Sequence, residues 1–107
     1  MTPPAYLYKI LSLDNWAGSA ASEDVALPSD DTQFIHLSTQ EQLEKITSKY
    51  WKDVPEYILL KLEVSKLKGK LILEANPGGS NKYYHLYDGS IPKDAIVETR
   101  HIIEVTE

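Results

Sequence analysis

Two five-residue runs, Phe34-Ile35-His36-Leu37-Ser38 and Tyr83-Tyr84-His85-Leu86-Tyr87, each centre a histidine in a strand-like stretch. Side chains along a strand alternate between faces, so residues two apart stand side by side. The first run therefore presents Phe34, His36 and Ser38 together, and the second presents Tyr83, His85 and Tyr87. The chain has 107 residues and three histidines, and two of the three are placed this way. If the two strands are neighbours, they build a polar site from two imidazoles, a hydroxyl and a phenol.

The rest of the chain supplies a frame for these strands. Tyr6 to Leu11 reads as a first strand of aromatic and aliphatic residues. Ser12 can cap a short helix through Trp16 that ends at Gly18. Ser19 to Gln33 is small and acidic, with Pro28 and Ser29-Asp30-Asp31, and is expected to be a surface loop long enough to act as a lid. Ser38-Thr39-Gln40-Glu41 matches a capping box and opens a helix whose buried stripe is Leu43, Ile46, Tyr50 and Trp51. Strands are expected over Tyr57 to Val64 and Lys70 to Glu74. A turn-rich loop, Asn76 to Asn81, leads into the second histidine strand. A turn at Asp88-Gly89, a helical turn over Ser90 to Ala95 and a long strand from Ile96 to Val105 close the chain. Strands outnumber crossover helices, which predicts an α+β domain: a small curved or split mixed sheet of about six strands, with two helices in the N-terminal half. Nothing divides the sequence, so residues 1–107 are expected to be a single domain.

Composition excludes several function classes. A net charge of −5 argues against a domain held to DNA by phosphate neutralisation. The absence of cysteine removes disulfides, thiolate nucleophiles and Cys-based zinc sites. No signal-peptide pattern and no apolar run of bilayer length occur, so a cytoplasmic protein without membrane attachment is expected. No HxxxH or HxH pair is present, and a metal centre is not expected from His36, His85 and Glu74.

His36 lies just before a helix start, where free backbone N–H groups and the helix dipole would suit a phosphate or carboxylate, aided by Ser38 and Thr39. Tyr83, Tyr84 and Tyr87 offer aromatic walls for a ring-bearing ligand. Glu74 ends a strand and is the carboxylate placed to orient an imidazole or stabilise positive charge. Alternatively, Ser38 and Thr39 only cap the helix and the histidines are hydrogen-bonded core residues.

Tyr8-Lys9-Ile10, Trp16, Phe34-Ile35-His36-Leu37-Ser38-Thr39, Glu74 and His85-Leu86-Tyr87 together resemble the bacterial family called domain of unknown function 952, from about Tyr6 to Ile102. Gln33, Asp88 and Leu73-Glu74-Ala75 depart from its pattern, the second by lengthening the turn after Tyr87. The family looks like a divergent relative of the ADP-ribosyltransferase fold. That implies an ADP-ribosyltransferase-like split sheet whose cleft takes NAD or an ADP-ribosyl group. By position, the resemblance puts the catalytic places on the Tyr8-Lys9 strand, the His36 strand and the His85-Tyr87 strand. Tyr8 or Lys9 stands where the fold's usual histidine would be, and His85 where its glutamate would be.

The expected function is then a nucleotide- or NAD-using transferase of the glycosyl or ADP-ribosyl type. His36, His85, Glu74 and Tyr87 would be catalytic. Tyr8, Lys9, Trp16, Ser38, Thr39 and Tyr83 would bind substrate. The alternatives are a non-catalytic module binding a nucleotide or anionic metabolite, and a structural protein. The sequence leaves substrate, acceptor and oligomeric state open.

Overall fold

Alternation of aliphatic with polar residues makes the strands, and the pairing of those strands makes two sheets. The computed structural model describes residues 3–28, 31, 33–75 and 78–103. Strand β1 (Tyr6–Leu11), β3 (Glu56–Glu63) and β6 (Ile96–Ile103) form one three-stranded sheet in the order β1-β3-β6. Strand β2 (Phe34–Leu37), β4 (Lys68–Ala75) and β5 (Lys82–Ser90) form the other in the order β2-β5-β4. Every pairing between these strands is antiparallel. The architecture of the described residues is thus α+β, with six strands in two small sheets and two α-helices, α1 (Leu13–Gly18) and α2 (Leu43–Tyr50).

The core lies between the sheets. Leu7 and Leu11 of β1, Ile58, Leu60 and Leu62 of β3, Ile35 and Leu37 of β2 and Leu86 of β5 are buried together with Val25 and Ile91. Each such side chain contributes about 1.5–3 kcal/mol through burial. One position breaks the aliphatic pattern. Lys9 stands between Leu7 and Leu11, opposite Leu60, and is buried with them.

The edge strands β1 and β2 meet where the two sheets join. Tyr8 N–H donates to the Ser38 carbonyl at 2.7 Å, and Ser38 N–H donates to the Tyr8 carbonyl at 2.9 Å. This pair of bonds ties one sheet to the other beside His36.

Several expectations are corrected. The described part of the expected surface loop from Ser19 to Gln33 is pinned to the body of the domain at Glu23 and Val25. Val25 is buried in the core, its N–H donates to the Ile91 carbonyl at 2.9 Å, and Lys93 N–H reaches the Glu23 carbonyl at 2.9 Å. Apolar Val25 decides this, because its burial outweighs the small acidic residues around it. Ser29 and Asp30 lie outside the described residues, as do Asn76, Pro77 and Val105. The capping box sits one residue later than expected: Thr39 N–H donates to Gln42 Oε1 at 3.0 Å, and a short 3-10 turn, Gln40–Gln42, precedes α2. Tyr50 is not part of a buried stripe; it is 59% exposed. Asp88 and Gly89 do not end the second histidine strand. They lie inside β5 at a bulge opposite Lys68–Lys70, with Asp88 at φ 51°. Only Lys93–Ala95 of the expected helical turn is helical. Ser12 does cap α1, accepting from Asn15 N–H at 3.1 Å.

Candidate functional site

β2 and β5 pair so that His36 stands directly opposite His85, and Phe34 opposite Tyr87. In β4, Ile72 is opposite His85 and Glu74 is opposite Tyr83, which sets Glu74 on the same face. The two histidine strands are therefore adjacent and their imidazoles share one face. The rings meet edge to face, 5.3 Å between centroids. Phe34 stacks on His85 at 4.0 Å and also touches His36 and Tyr87.

Each histidine is held by its own carboxylate. His36 Nδ1 lies 2.6 Å from Asp31 Oδ1, and His85 Nδ1 lies 2.9 Å from Glu74 Oε1. An ionised carboxylate only accepts hydrogen bonds, so both Nδ1 atoms carry the proton and donate. At His36 the lone pair of the neutral ring is thereby placed on Nε2, which has no hydrogen-bond partner among the described residues. Asp31 in turn accepts from Lys9 Nζ at 2.5 Å, and the same ammonium donates to the His36 carbonyl at 3.0 Å. Burial pushes the Asp31 carboxyl up, but the hydrogen bond from His36 and the charge and hydrogen bond of Lys9 outweigh it. The net effect holds Asp31 below its ordinary value and keeps it ionised.

Glu74 is shared between His85 and the Tyr87 hydroxyl, both donating to Oε1. The tyrosine's hydrogen bond and then the histidine's hold Glu74 below its ordinary value, and the same bond pushes the Tyr87 phenol up.

The two histidines differ in access. The His36 side chain is 40% exposed, whereas His85 is fully buried. His36, Lys9 and Asp31 line a cleft of about 610 Å³ at the seam between the sheets. Tyr8 and Ile10 of β1, Ser38 after β2 and Tyr83 of β5 form part of it. Ser12, which caps α1, Asn15 within α1, Ile46 and Tyr50 of α2, and Trp51 just after α2 complete one side. Its volume is in the range of small-molecule sites.

Of the side chains expected at the site, the cleft gathers His36, Tyr8, Lys9, Ser38 and Tyr83. His85, Glu74 and Tyr87 stand on the same sheet face but outside the cleft lining. Thr39 lines a separate groove with Tyr6, Tyr84 and Lys61. Trp16 packs against the hydrophobic core. The amides expected to be free at the helix start are partly used: Ser38 N–H is bonded to Tyr8, and Thr39 N–H to Gln42. Asp31 was not expected. Its signal was Lys9, a lysine at a core-facing strand position, which requires a buried carboxylate partner. Among the described residues no group of three His, Cys, Asp or Glu side chains is placed to hold a metal ion, and no helix is long and apolar enough to cross a membrane.

Residues 10–99 match the family described as "Protein of unknown function (DUF952)". The chain belongs to the DUF952 family. Both histidine motifs of this DUF952 protein fall inside the matched region. Its fold is also similar to the crystal structure of protein CC0527 from Caulobacter crescentus, with 28% identity and a TM-score of 0.76. The similarity covers 90% of this chain and 84% of that one. A doubly substituted form of CC0527 matches equally well. No curated protein matches the chain.

Proposed function

We propose that this DUF952 protein is a small-molecule enzyme whose cleft holds a nucleotide-class ligand, with His36 moving a proton in a glycosyl-type transfer. The observation that carries this reading is the Lys9–Asp31–His36 chain, which ends on the part-exposed His36 ring lining the cleft. A neutral imidazole with Nδ1–H fixed on a carboxylate can take a proton at Nε2, and the buried carboxylate stabilises the imidazolium that results. Lys9 acts one step behind, keeping Asp31 charged and in place.

The expectation of an ADP-ribosyltransferase-like cleft fits the meeting of two sheets around a cleft. Asp31 takes over the role of orienting carboxylate that Glu74 was expected to play for the reacting imidazole. In this reading Glu74, His85 and Tyr87 are a packed support behind Phe34 and His36. NAD fits in part: Tyr8, Tyr50, Trp51 and Tyr83 suit its rings, whereas among the described residues its pyrophosphate finds no uncompensated lysine or arginine in the cleft lining. No step is therefore routed through NAD.

Isotope-labelled protein titrated with NAD, ADP-ribose and a 2′-phosphorylated nucleotide tests the ligand site. Shifts concentrated at Tyr8, His36 and Ser38 support it, and silence at millimolar ligand overturns it. A His36→Gln variant that still binds but no longer turns the ligand over identifies the proton-transfer group. A second reading, a binding module without turnover, draws on the position of Glu74 outside the cleft. It is favoured if the wild-type protein binds the ligand and forms no product from it.

A further inference from the structure

The charge inventory of the cleft narrows the ligand. Apart from the phenols of Tyr8, Tyr50 and Tyr83, three charged or chargeable side chains line it among the described residues: Lys9, Asp31 and His36. The Lys9 ammonium is committed to Asp31 and to the His36 carbonyl, with its side chain almost wholly buried. The pair is internally neutral, so the cleft holds no lysine or arginine left over to meet an anion. The backbone N–H groups nearest His36 do not replace one. Ser38 N–H is bonded to the Tyr8 carbonyl, and Thr39 N–H to Gln42 Oε1. Gln40 and Glu41, which follow, line the separate groove instead. With the His36 ring neutral, a phosphate brought into the cleft would lose water and gain little in return.

What the cleft offers is flat apolar surface with a few polar groups. Tyr8, Tyr50, Trp51 and Tyr83 supply rings, and Ser38 and Asn15 supply hydrogen-bonding groups. Such walls suit a planar heterocycle that stacks and forms a few hydrogen bonds. We infer that the cleft selects an uncharged heteroaromatic ligand of the nucleoside kind and leaves any attached phosphate in solvent. This rests on the reading of the cleft as a ligand site, and it separates the molecule from enzymes that grip a pyrophosphate.

The test compares adenosine, AMP, ADP-ribose and inorganic pyrophosphate by titration of the labelled full chain. Adenosine, AMP and ADP-ribose are expected to shift the same signals, Asn15, Ser38 and Tyr83 among them, with dissociation constants within about threefold of one another. Inorganic pyrophosphate at roughly 10 mM should not displace adenosine, and raising NaCl from roughly 50 to roughly 500 mM should leave its affinity unchanged. Tyr50→Ala, at an exposed position that the fold does not need, should weaken adenosine about tenfold. Lys49→Ala, which removes the ammonium lying 5.1 Å from the Tyr50 ring, should not weaken ADP-ribose.

ADP-ribose binding tenfold or more tighter than adenosine, with pyrophosphate competing, would overturn this inference while leaving the ligand site intact. If none of the four probes shifts a cleft signal, the inference and the ligand-site reading fall together.

Discussion

At the residue scale, the decisive arrangement is a lysine in the core whose carboxylate partner also holds a histidine. Taking Lys9 and Asp31 out of water is expensive, and removing one of them leaves the other buried without compensation. Asp31→Asn is therefore expected to cost about 3 kcal/mol, lowering the melting temperature by roughly 15 °C. It also removes the acceptor that fixes Nδ1–H of His36. Imidazole ¹⁵N shifts should change from a single Nδ1–H pattern to a mixture of tautomers. Lys9→Met combined with Asp31→Leu should restore most of the stability, because well-packed apolar residues can replace a buried pair, yet leave the tautomers mixed. A double variant with the wild-type tautomer would show that Asp31 does not orient the ring.

At the element scale, most strands were legible because alternation or aliphatic runs mark them, and β1 begins and ends where the sequence put it. The adjacency of β2 and β5 was not legible. It depends on long-range pairing that places His36 against His85, which no local pattern encodes. Asp31 was legible only in principle, through the misfit of Lys9 in an otherwise apolar face. The bulge in β5 was misread as a turn because Asp88-Gly89 is a turn signature. The structure gives Gly89 another reason: a Cβ there would lie 1.8 Å from the Lys68 carbonyl oxygen and 2.7 Å from Gly69 Cα. The two backbones touch where β4 and β5 cross their bulges. Gly89→Ala must push them apart, and a loss of about 2 kcal/mol is expected, read as a shifted denaturant midpoint. Because the bulge adjoins the Lys70–Tyr87 pair, the Glu74–Tyr87 hydrogen bond should weaken with it. An alanine variant with unchanged stability would mean that the bulge has room the backbone geometry denies.

At the scale of the whole molecule, the two sheets depend on charge at their seam. Asp31 is held below its ordinary value of 3.8 and Glu74 below its ordinary value of 4.5. A carboxyl whose folded value is depressed stabilises the fold fully above its unfolded value, and that stabilisation is lost as pH falls through the folded one. The chain should accordingly melt at a nearly constant temperature from neutral pH down to about 5 and lose stability steeply below about 4.5. Tyr87, pushed above 10.0, works in the opposite sense: its contribution is complete below that pH and fades as pH rises through the folded value. The acid limb should be dominated by Asp31. Its protonation leaves the Lys9 ammonium buried without a counter-charge, at the place where β1 meets β2. Glu74 is half-exposed, and its loss is softened by water. Thermal melts of wild type and Asp31→Asn between pH 7 and pH 3 separate these contributions. The variant should begin less stable and descend less steeply, because its side chain no longer titrates and the seam is already weakened. Parallel acid limbs in the two proteins would show that the seam does not govern acid unfolding, and would move that role to carboxylates elsewhere on the surface.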